Sequence, residues 1–267
     1  MRAVDSDFFA RPVPRLIAHR GGGSACPENT LAAFRASAAL GVPYAELDIH
    51  ATRDGVIVVA HDPDLLRTCG REGRISAIDY AELAGADAGF TFDAGGGFPF
   101  RGQGLKIPTL EEVFSACPGQ SFIVEIKQTT PSVVAAMLAV IDRRGVGRRV
   151  LIASEHQAPL DEVRALRPGI PTSFSGLEIA TLFAALKSGT LADYRPPAEA
   201  LQIPLRYQAL ELATPQSVAA AHRQGIELHV WTINEEPEMR TLLEMGVDGI
   251  LTDFPARLLA AAGSQRG

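Results

Sequence analysis

The sequence predicts an α/β fold, a (β/α)8-type barrel with a small insertion after the second barrel strand. Short apolar runs alternate with longer helix-periodic segments through most of its 267 residues. Strands that are almost wholly apolar, each followed by a helix, imply a parallel sheet covered on the outside. About eight such units fit in roughly 250 residues, which favours a closed barrel over an open sheet.

The elements follow in order. Residues 15–19, Arg-Leu-Ile-Ala-His, form the first strand, followed by a Gly-rich turn and a helix over 28–40. Residues 44–49 and 56–60 are again strand-like. Residues 121–126 repeat the pattern, with a helix over 132–143 whose apolar positions fall at helical spacing. Strands over 150–153 and 172–174 flank a helix over 160–166. Strands over 201–203, 227–231 and 249–252 complete the set, the last two separated by a helix over 236–245. One stretch breaks the rhythm: between His61 and Ile107 lie a short helix over 79–83 and the loop Gly95-Gly96-Gly97-Phe98-Pro99-Phe100. A long irregular stretch in a compact domain is usually a functional insertion or lid. We therefore expect one domain over residues 1–267, with 62–106 as an insertion within it.

Composition narrows the function classes. Hydrophobic residues at 46% and charged residues at 21% exclude a disordered chain. A formal charge of −6 argues against a nucleic-acid partner. It does not forbid a small anionic substrate, because a bound cation inverts the local field. Cys26, Cys69 and Cys117 include no Cys-x-x-Cys pair, so neither a zinc site nor a disulfide framework is expected. Residues 1–14 lack the apolar core of a signal peptide, and no apolar run reaches the roughly 18 residues of a membrane span. A cytoplasmic location without integral membrane association is expected. The sequence does not fix an oligomeric state.

Barrel enzymes place their sites at the C-terminal ends of the strands. There the sequence has His19-Arg20, Glu46-x-Asp48, His61-Asp62, Glu125-x-Lys127, Trp231 and Asp253. Glu46 and Asp48 stand two apart on a strand and share a face, and Glu125 and Lys127 repeat that spacing. Each acid alone could form an ordinary strand-end ion pair. Three converging carboxylates would repel one another unless a cation sat between them, and all-oxygen ligation suits Mg2+ or Ca2+. His19 and His61 are placed to serve as acid and base near neutral pH, or as hydrogen-bonded rim residues. Arg20 and Lys127 can neutralise phosphate oxygens, and Gly21-Gly22-Gly23-Ser24 permits close backbone approach. Trp231 is a rim filler or a wall against an alkyl group. His50 is expected to face away from Glu46 and Asp48, and His156, His222 and His229 to lack charged strand-end partners.

With these residues in view, the chain resembles the glycerophosphodiester phosphodiesterase family over nearly its whole length. The resemblance rests on His19-Arg20-Gly21 with Pro27-Glu28-Asn29-Thr30, Glu46-Leu47-Asp48 through Asp54-Gly55 to His61-Asp62, and Glu125-Ile126-Lys127. Val230-Trp231-Thr232-Ile233-Asn234 and Gly246-Val247-Asp248-Gly249-Ile250 with Thr252-Asp253 extend it. It implies a TIM barrel, one divalent metal ion on Glu46, Asp48 and Glu125, and His19 and His61 as the acid/base pair. Arg20 and Lys127 would hold the phosphate. The implied reaction is hydrolysis of a small-molecule glycerophosphodiester to sn-glycerol 3-phosphate and an alcohol. Lysophospholipase D-like action on lipid phosphodiesters is an alternative, with Phe90, Phe92, Phe98 and Phe100 as an apolar approach. A non-catalytic phosphodiester-binding barrel is the rival from another class, but degenerate relatives lose a histidine or an acid, and here all are present. Two segments depart from the family pattern, Gly22-Gly23-Ser24-Ala25-Cys26 and Ser154-Glu155-His156. The first bears on phosphate approach and the second on the alcohol pocket.

Overall fold

The structure, a computed structural model, describes Val4 and residues 6–93 and 95–263. Both ends of the expected 1–267 domain therefore lie outside the described residues, as do Met1, Arg2, Ala3 and Asp5 of the stretch read for a signal peptide.

The apolar runs become strands β1 (Arg15–Ala18), β2 (Tyr44–Ala51), β3 (Ile57–Val59), β4 (Ser121–Ile126) and β5 (Val150–Ala153). They continue as β6 (Ala200–Pro204), a short hairpin of β7 (Arg206–Tyr207) and β8 (Leu210–Glu211), β9 (Glu227–Trp231) and β10 (Gly249–Thr252). The parallel order is β5-β4-β2-β1-β10-β9-β6. The gap between β5 and β6 is closed by residues 172–173, which make one parallel bridge to each side, Ile152 with Thr172 and Ser173 with Ala200. The strand expected over 172–174 is therefore a two-residue stitch, Thr172 and Ser173, following Pro171, and the ring closes.

Helices cover the outside: α1 (Leu31–Ala39), α2 (Leu66–Cys69), α3 (Tyr80–Leu83), α4 (Leu110–Ala116), α5 (Val134–Arg144) and α6 (Gln157–Leu166). α7 (Gly176–Ser188), α8 (Pro215–Arg223), α9 (Glu236–Met245) and α10 (Pro255–Gly263) complete the wrap. The expected helix over 28–40 begins only at Leu31. Asn29 has φ +57, which a right-handed helix cannot hold, and Thr30 caps the helix by accepting from the Ala33 amide. α2 and α3 lie in the stretch after β3 and carry a small core of their own, built on Leu65, Ile75, Leu83 and Ile107 against Val58.

Side-chain alternation sorts the strands into an outer face under the helices and an inner face lining the barrel. Inside, Ile17, Tyr44, Ile123, Leu151 and Leu251 form a packed plug, closed from below by Phe8. Below it lies a polar knot at the N-terminal end. Arg15, 2% exposed, pairs with Glu227 at 2.6 Å and donates to the Tyr44 hydroxyl at 3.1 Å. Above it, the same inner face brings the polar residues to the C-terminal mouth.

Candidate active site

The strand registers decide which groups meet. Ala18 is paired with Ala45 on one side and Thr252 on the other. The next residue, His19, is thereby set beside both Glu46 and Asp253. Its Nδ1 lies 2.7 Å from Asp253 Oδ1, and its Nε2 lies 4.0 Å from Glu46 Oε2. Asp253 is fixed in turn by Asn234, whose amide donates to Oδ2 at 2.9 Å. Burial alone would lower the His19 pKa, but the bond to Asp253 and the charge of Glu46 outweigh it and hold it above the usual value.

β2 runs further than its neighbours and carries Glu46 and Asp48 up to the mouth, both almost wholly buried. Asp48 is in register with Glu125 on β4. Glu46, Asp48 and Glu125 each offer an oxygen, all within 4.8 Å of one another. Asn29 donates to Asp48 Oδ2 at 2.9 Å, and the Lys127 ammonium lies 2.7 Å from Glu125 and 3.2 Å from Asp48. Burial raises the Asp48 pKa, but Lys127 and Arg20 pull it below the ordinary range. Glu46 goes the other way. Desolvation, with Asp48 and Glu125 as like-charged neighbours, pushes it up to about 8, and its Oε1 is buried without a hydrogen-bond partner. An orphaned buried carboxylate oxygen beside two further carboxylates fits a hard divalent cation.

Arg20 sits in a tight turn with φ +51, a conformation costly for a side-chain-bearing residue. The turn aims its backbone N–H at Glu46 Oε2, 2.9 Å away, while its guanidinium reaches Glu28 at 3.0 Å and Asp48 at 3.5 Å. Gly22, with φ +94, follows, and a Cβ there would lie 2.9 Å from Pro255 Cγ. Only glycine passes this corner without a shift.

His61 arrives by a different route from the one expected of a barrel strand. β3 is antiparallel to β2, not a stave, and folds back along it so that the Ala60 amide donates to the Asp48 carbonyl at 3.0 Å. His61 is thereby returned to the mouth. Its Nδ1 lies 2.7 Å from Asp62 Oδ1. The expectation that His50 faces away is overturned: residues 46, 48 and 50 share parity and therefore a face. His50 is buried, and its Nε2 lies 3.1 Å from the His61 carbonyl oxygen. Burial holds its pKa below the ordinary value, so the neutral ring can donate that bond.

His222 and His229 have acidic partners away from the mouth, Asp248 at 2.8 Å and Glu227 at 3.0 Å. Glu227 opens β9 and Asp248 directly precedes β10, so both pairs belong to the N-terminal end, opposite the mouth. Trp231 ends β9 and is 42% exposed at the rim.

Residues 19–257 match the Glycerophosphoryl diester phosphodiesterase family model. The chain belongs to that family.

Among relatives of this glycerophosphoryl diester phosphodiesterase family member is the glycerophosphodiester phosphodiesterase of Caldanaerobacter subterraneus subsp. tengcongensis, 31% identical over 255 residues and covering 91% of this chain and 96% of that one. A lysophospholipase D of Mus musculus is 26% identical over 269 residues, covering 93% and 86%. An Oleispira antarctica phosphodiesterase solved with its product sn-glycerol-3-phosphate superposes with a TM-score of 0.77 at 26% identity, covering 94% of this chain and 97% of that one. The family match opens on His19, the first predicted site residue.

All the predicted site residues lie at this end of the barrel: Glu46 and Asp48 within the longer β2, Glu125 and Trp231 towards the ends of β4 and β9, and His19, Arg20, His61 and Lys127 just after β1, β3 and β4. What sequence reasoning left without a role are the partners: Asp253 with Asn234 behind His19, Asp62 behind His61, Asn29 behind Asp48, and His50 behind the His61 carbonyl. Asp62 was open to view as the neighbour of His61. Strand parity could have placed His50 on the Glu46 face, whereas the pairings of Asp253, Asn234 and Asn29 become visible only once register and turns are known.

Proposed function

We propose that this protein hydrolyses glycerophosphodiesters to sn-glycerol 3-phosphate and an alcohol, with His19 and His61 as the acid/base pair. The reading is carried by one observation: each imidazole is held at Nδ1 by a carboxylate, leaving Nε2 for substrate, at the edge of a three-carboxylate cluster. Glu46, Asp48 and Glu125 would hold one divalent cation, Mg2+ or Ca2+, by the hardness of their oxygens. Such a cation supplies Lewis-acid polarisation of a phosphoryl oxygen.

The side chains do the rest. A carboxylate on Nδ1 fixes the orientation of each ring and leaves Nε2 facing the substrate. One histidine accepts the proton of the attacking hydroxyl, from water or from the substrate's own glycerol. The other, entering as the imidazolium, gives its Nε2 proton to the departing alcohol oxygen, so that the P–O bond breaks without releasing a free alkoxide. Arg20 and Lys127 bind non-bridging phosphate oxygens, for which a guanidinium fork and a mobile ammonium are suited. Trp231 forms an apolar wall beside the glycerol or alcohol. Residues 1–267 act as one catalytic unit with 62–106 as its insertion, working on a small molecule in the cytoplasm. Among the described residues no helix is long and apolar enough to cross a membrane.

A second reading has its own support. In the insertion, Arg101 lies 4.2 Å from the Phe90 ring and 3.8 Å from the Phe98 ring, and both rings are more than a third exposed. An exposed apolar surface carrying a cation suits a lysophospholipid as well as a headgroup diester. The test is a panel of soluble glycerophosphodiesters and lysophospholipids assayed with Mg2+, Ca2+ or chelator, reading glycerol 3-phosphate and alcohol release. Cation-dependent release from headgroup diesters is expected. Turnover confined to lysophospholipids would favour the second reading, and turnover of neither class would remove the enzyme assignment.

A further inference from the structure

One charged group joins the two sides of the mouth. Arg67, in α2, places Nε 2.5 Å from Asp62 Oδ2. Its two terminal nitrogens bond both oxygens of Glu28, at 2.9 and 2.6 Å. Asp62 uses its other oxygen to hold His61 Nδ1, and Glu28 also accepts from Arg20 at 3.0 Å. The chain of contacts therefore runs His61–Asp62–Arg67–Glu28–Arg20, with Arg67 as the one member contributed by a helix of the insertion. We propose that Arg67 is a positioning residue, setting His61 through Asp62 and Arg20 through Glu28. The proposal rests on the acid/base reading of His61 given above.

The physical reason lies in what each carboxylate would do alone. Asp62 directly follows His61 and is 22% exposed, so a single bond to the imidazole leaves its plane free to turn. A guanidinium on the second oxygen fixes that plane, and with it the Nδ1–H tautomer that presents Nε2 outward. Glu28 receives a two-nitrogen fork from Arg67, which a lysine cannot reproduce. Burial would raise the Glu28 carboxyl, but Arg67 and Arg20 keep it ionised and below its usual range. Arg67 is itself 47% exposed, so its removal opens a gap to solvent rather than a buried cavity. Its backbone carbonyl accepts from Thr91 at 2.6 Å, and this tie between parts of the insertion survives loss of the side chain.

The test is steady-state kinetics on glycerophosphocholine with Mg2+ or Ca2+. Arg67→Ala is expected to lower kcat on the order of 10–100-fold, the usual cost of removing a group that orients an active-site ligand. KM should rise by less than kcat falls, because Arg67 reaches the phosphate-binding Arg20 only through Glu28. Low-millimolar guanidinium should restore part of the lost kcat, and Arg67→Lys should restore less than arginine. Combining Arg67→Ala with Asp62→Asn should cost less than the product of the two separate losses, since both act on one imidazole. Should Arg67→Ala not fold, Arg67→Gln, which keeps most of the stem, repeats the measurement, with thermal melting as the check on folding. Full kcat in Arg67→Ala alongside an inactive His61→Ala would overturn the inference and leave the acid/base reading standing. Strictly multiplicative losses, or a loss confined to KM, would also overturn it. Full turnover in His61→Ala would remove the acid/base reading and this inference with it.

Discussion

Glu46 is the residue on which the chemistry of the mouth turns. Its carboxyl is pushed up to about 8 by burial, Asp48 and Glu125. It therefore holds a proton near neutral pH until a cation displaces it. Cation binding at pH 7 should release close to one proton, and affinity should weaken as pH falls below about 8. Titration calorimetry in two buffers of different ionisation enthalpy counts that proton, and a value of zero at pH 7 would contradict the assignment. The sign for stability follows from the same shift. A carboxyl whose native pKa is raised stabilises the fold below its ordinary value of 4.5, and that contribution disappears as pH rises through about 8. Metal-free protein should therefore melt at lower temperature at pH 8 than at pH 5, and Glu46→Gln should flatten that difference. A second change acts one step out. Asn29→Gly keeps the left-handed backbone yet deletes the amide that holds Asp48, and a loss of about 10–100-fold in cation affinity or activity is expected. Much of this was legible in the chain itself. Two-residue spacing paired Glu46 with Asp48 and Glu125 with Lys127, and the strand ends exposed both histidines. The same parity, applied to His50, should have placed it with Glu46. Asp253 could not be assigned to His19 from sequence, because 234 residues separate them and only the β1–β10 register brings them together.

The elements show which patterns carry information and which do not. Largely apolar runs marked seven of the eight parallel staves, because a buried strand needs no regular polar alternation. β3 was legible as a strand but not as a hairpin partner: the four-residue Thr52–Gly55 turn, closed by the Gly55 amide on the Thr52 carbonyl at 2.9 Å, reverses the chain. α2, α4, α7, α8 and α10 went unassigned, although Thr109, Ser175 and Thr214 each cap the following helix and form a capping box. Those caps were the available signal for three of the five. Close approach between elements also has a measurable cost. Gly249 opens β10 against β1, and a Cβ there would come within 2.7 Å of the buried His229 ring and 3.2 Å of Arg15 Cβ. Gly249→Ala should therefore destabilise the fold by about 1–3 kcal/mol, read from urea unfolding, by overpacking the space between strands.

The whole molecule separates holding from working. The C-terminal mouth gathers the groups of the site, and the N-terminal end is locked by Arg15, Glu227 and His229. Burial would raise the Glu227 carboxyl, but bonds from His229 and Arg15 hold it below the ordinary range. Its contribution to stability is thus present above about pH 4.5 and fades as pH falls through its lowered native value. Glu227→Gln should cost about 3–5 kcal/mol, because it strands the Arg15 charge inside the barrel. Chemical denaturation at pH 7 measures it, and an unchanged midpoint would refute the lock. At this scale the net charge of −6 gave no guide to the substrate, since the acids concentrated at the mouth invite a cation there.

The stretch after β3 leaves and rejoins the barrel at neighbouring points: the Val59 amide donates to the Pro108 carbonyl at 2.9 Å, and Val58 bridges to Thr109. A detour whose two stems are stitched together can be lengthened, shortened or exchanged at only a logarithmic entropic penalty, without disturbing the staves. Under the proposed reading, the same staves could carry different detours, on one condition. Any replacement must return an arginine to the place of Arg67, or the graft will fold and bind while turning over slowly.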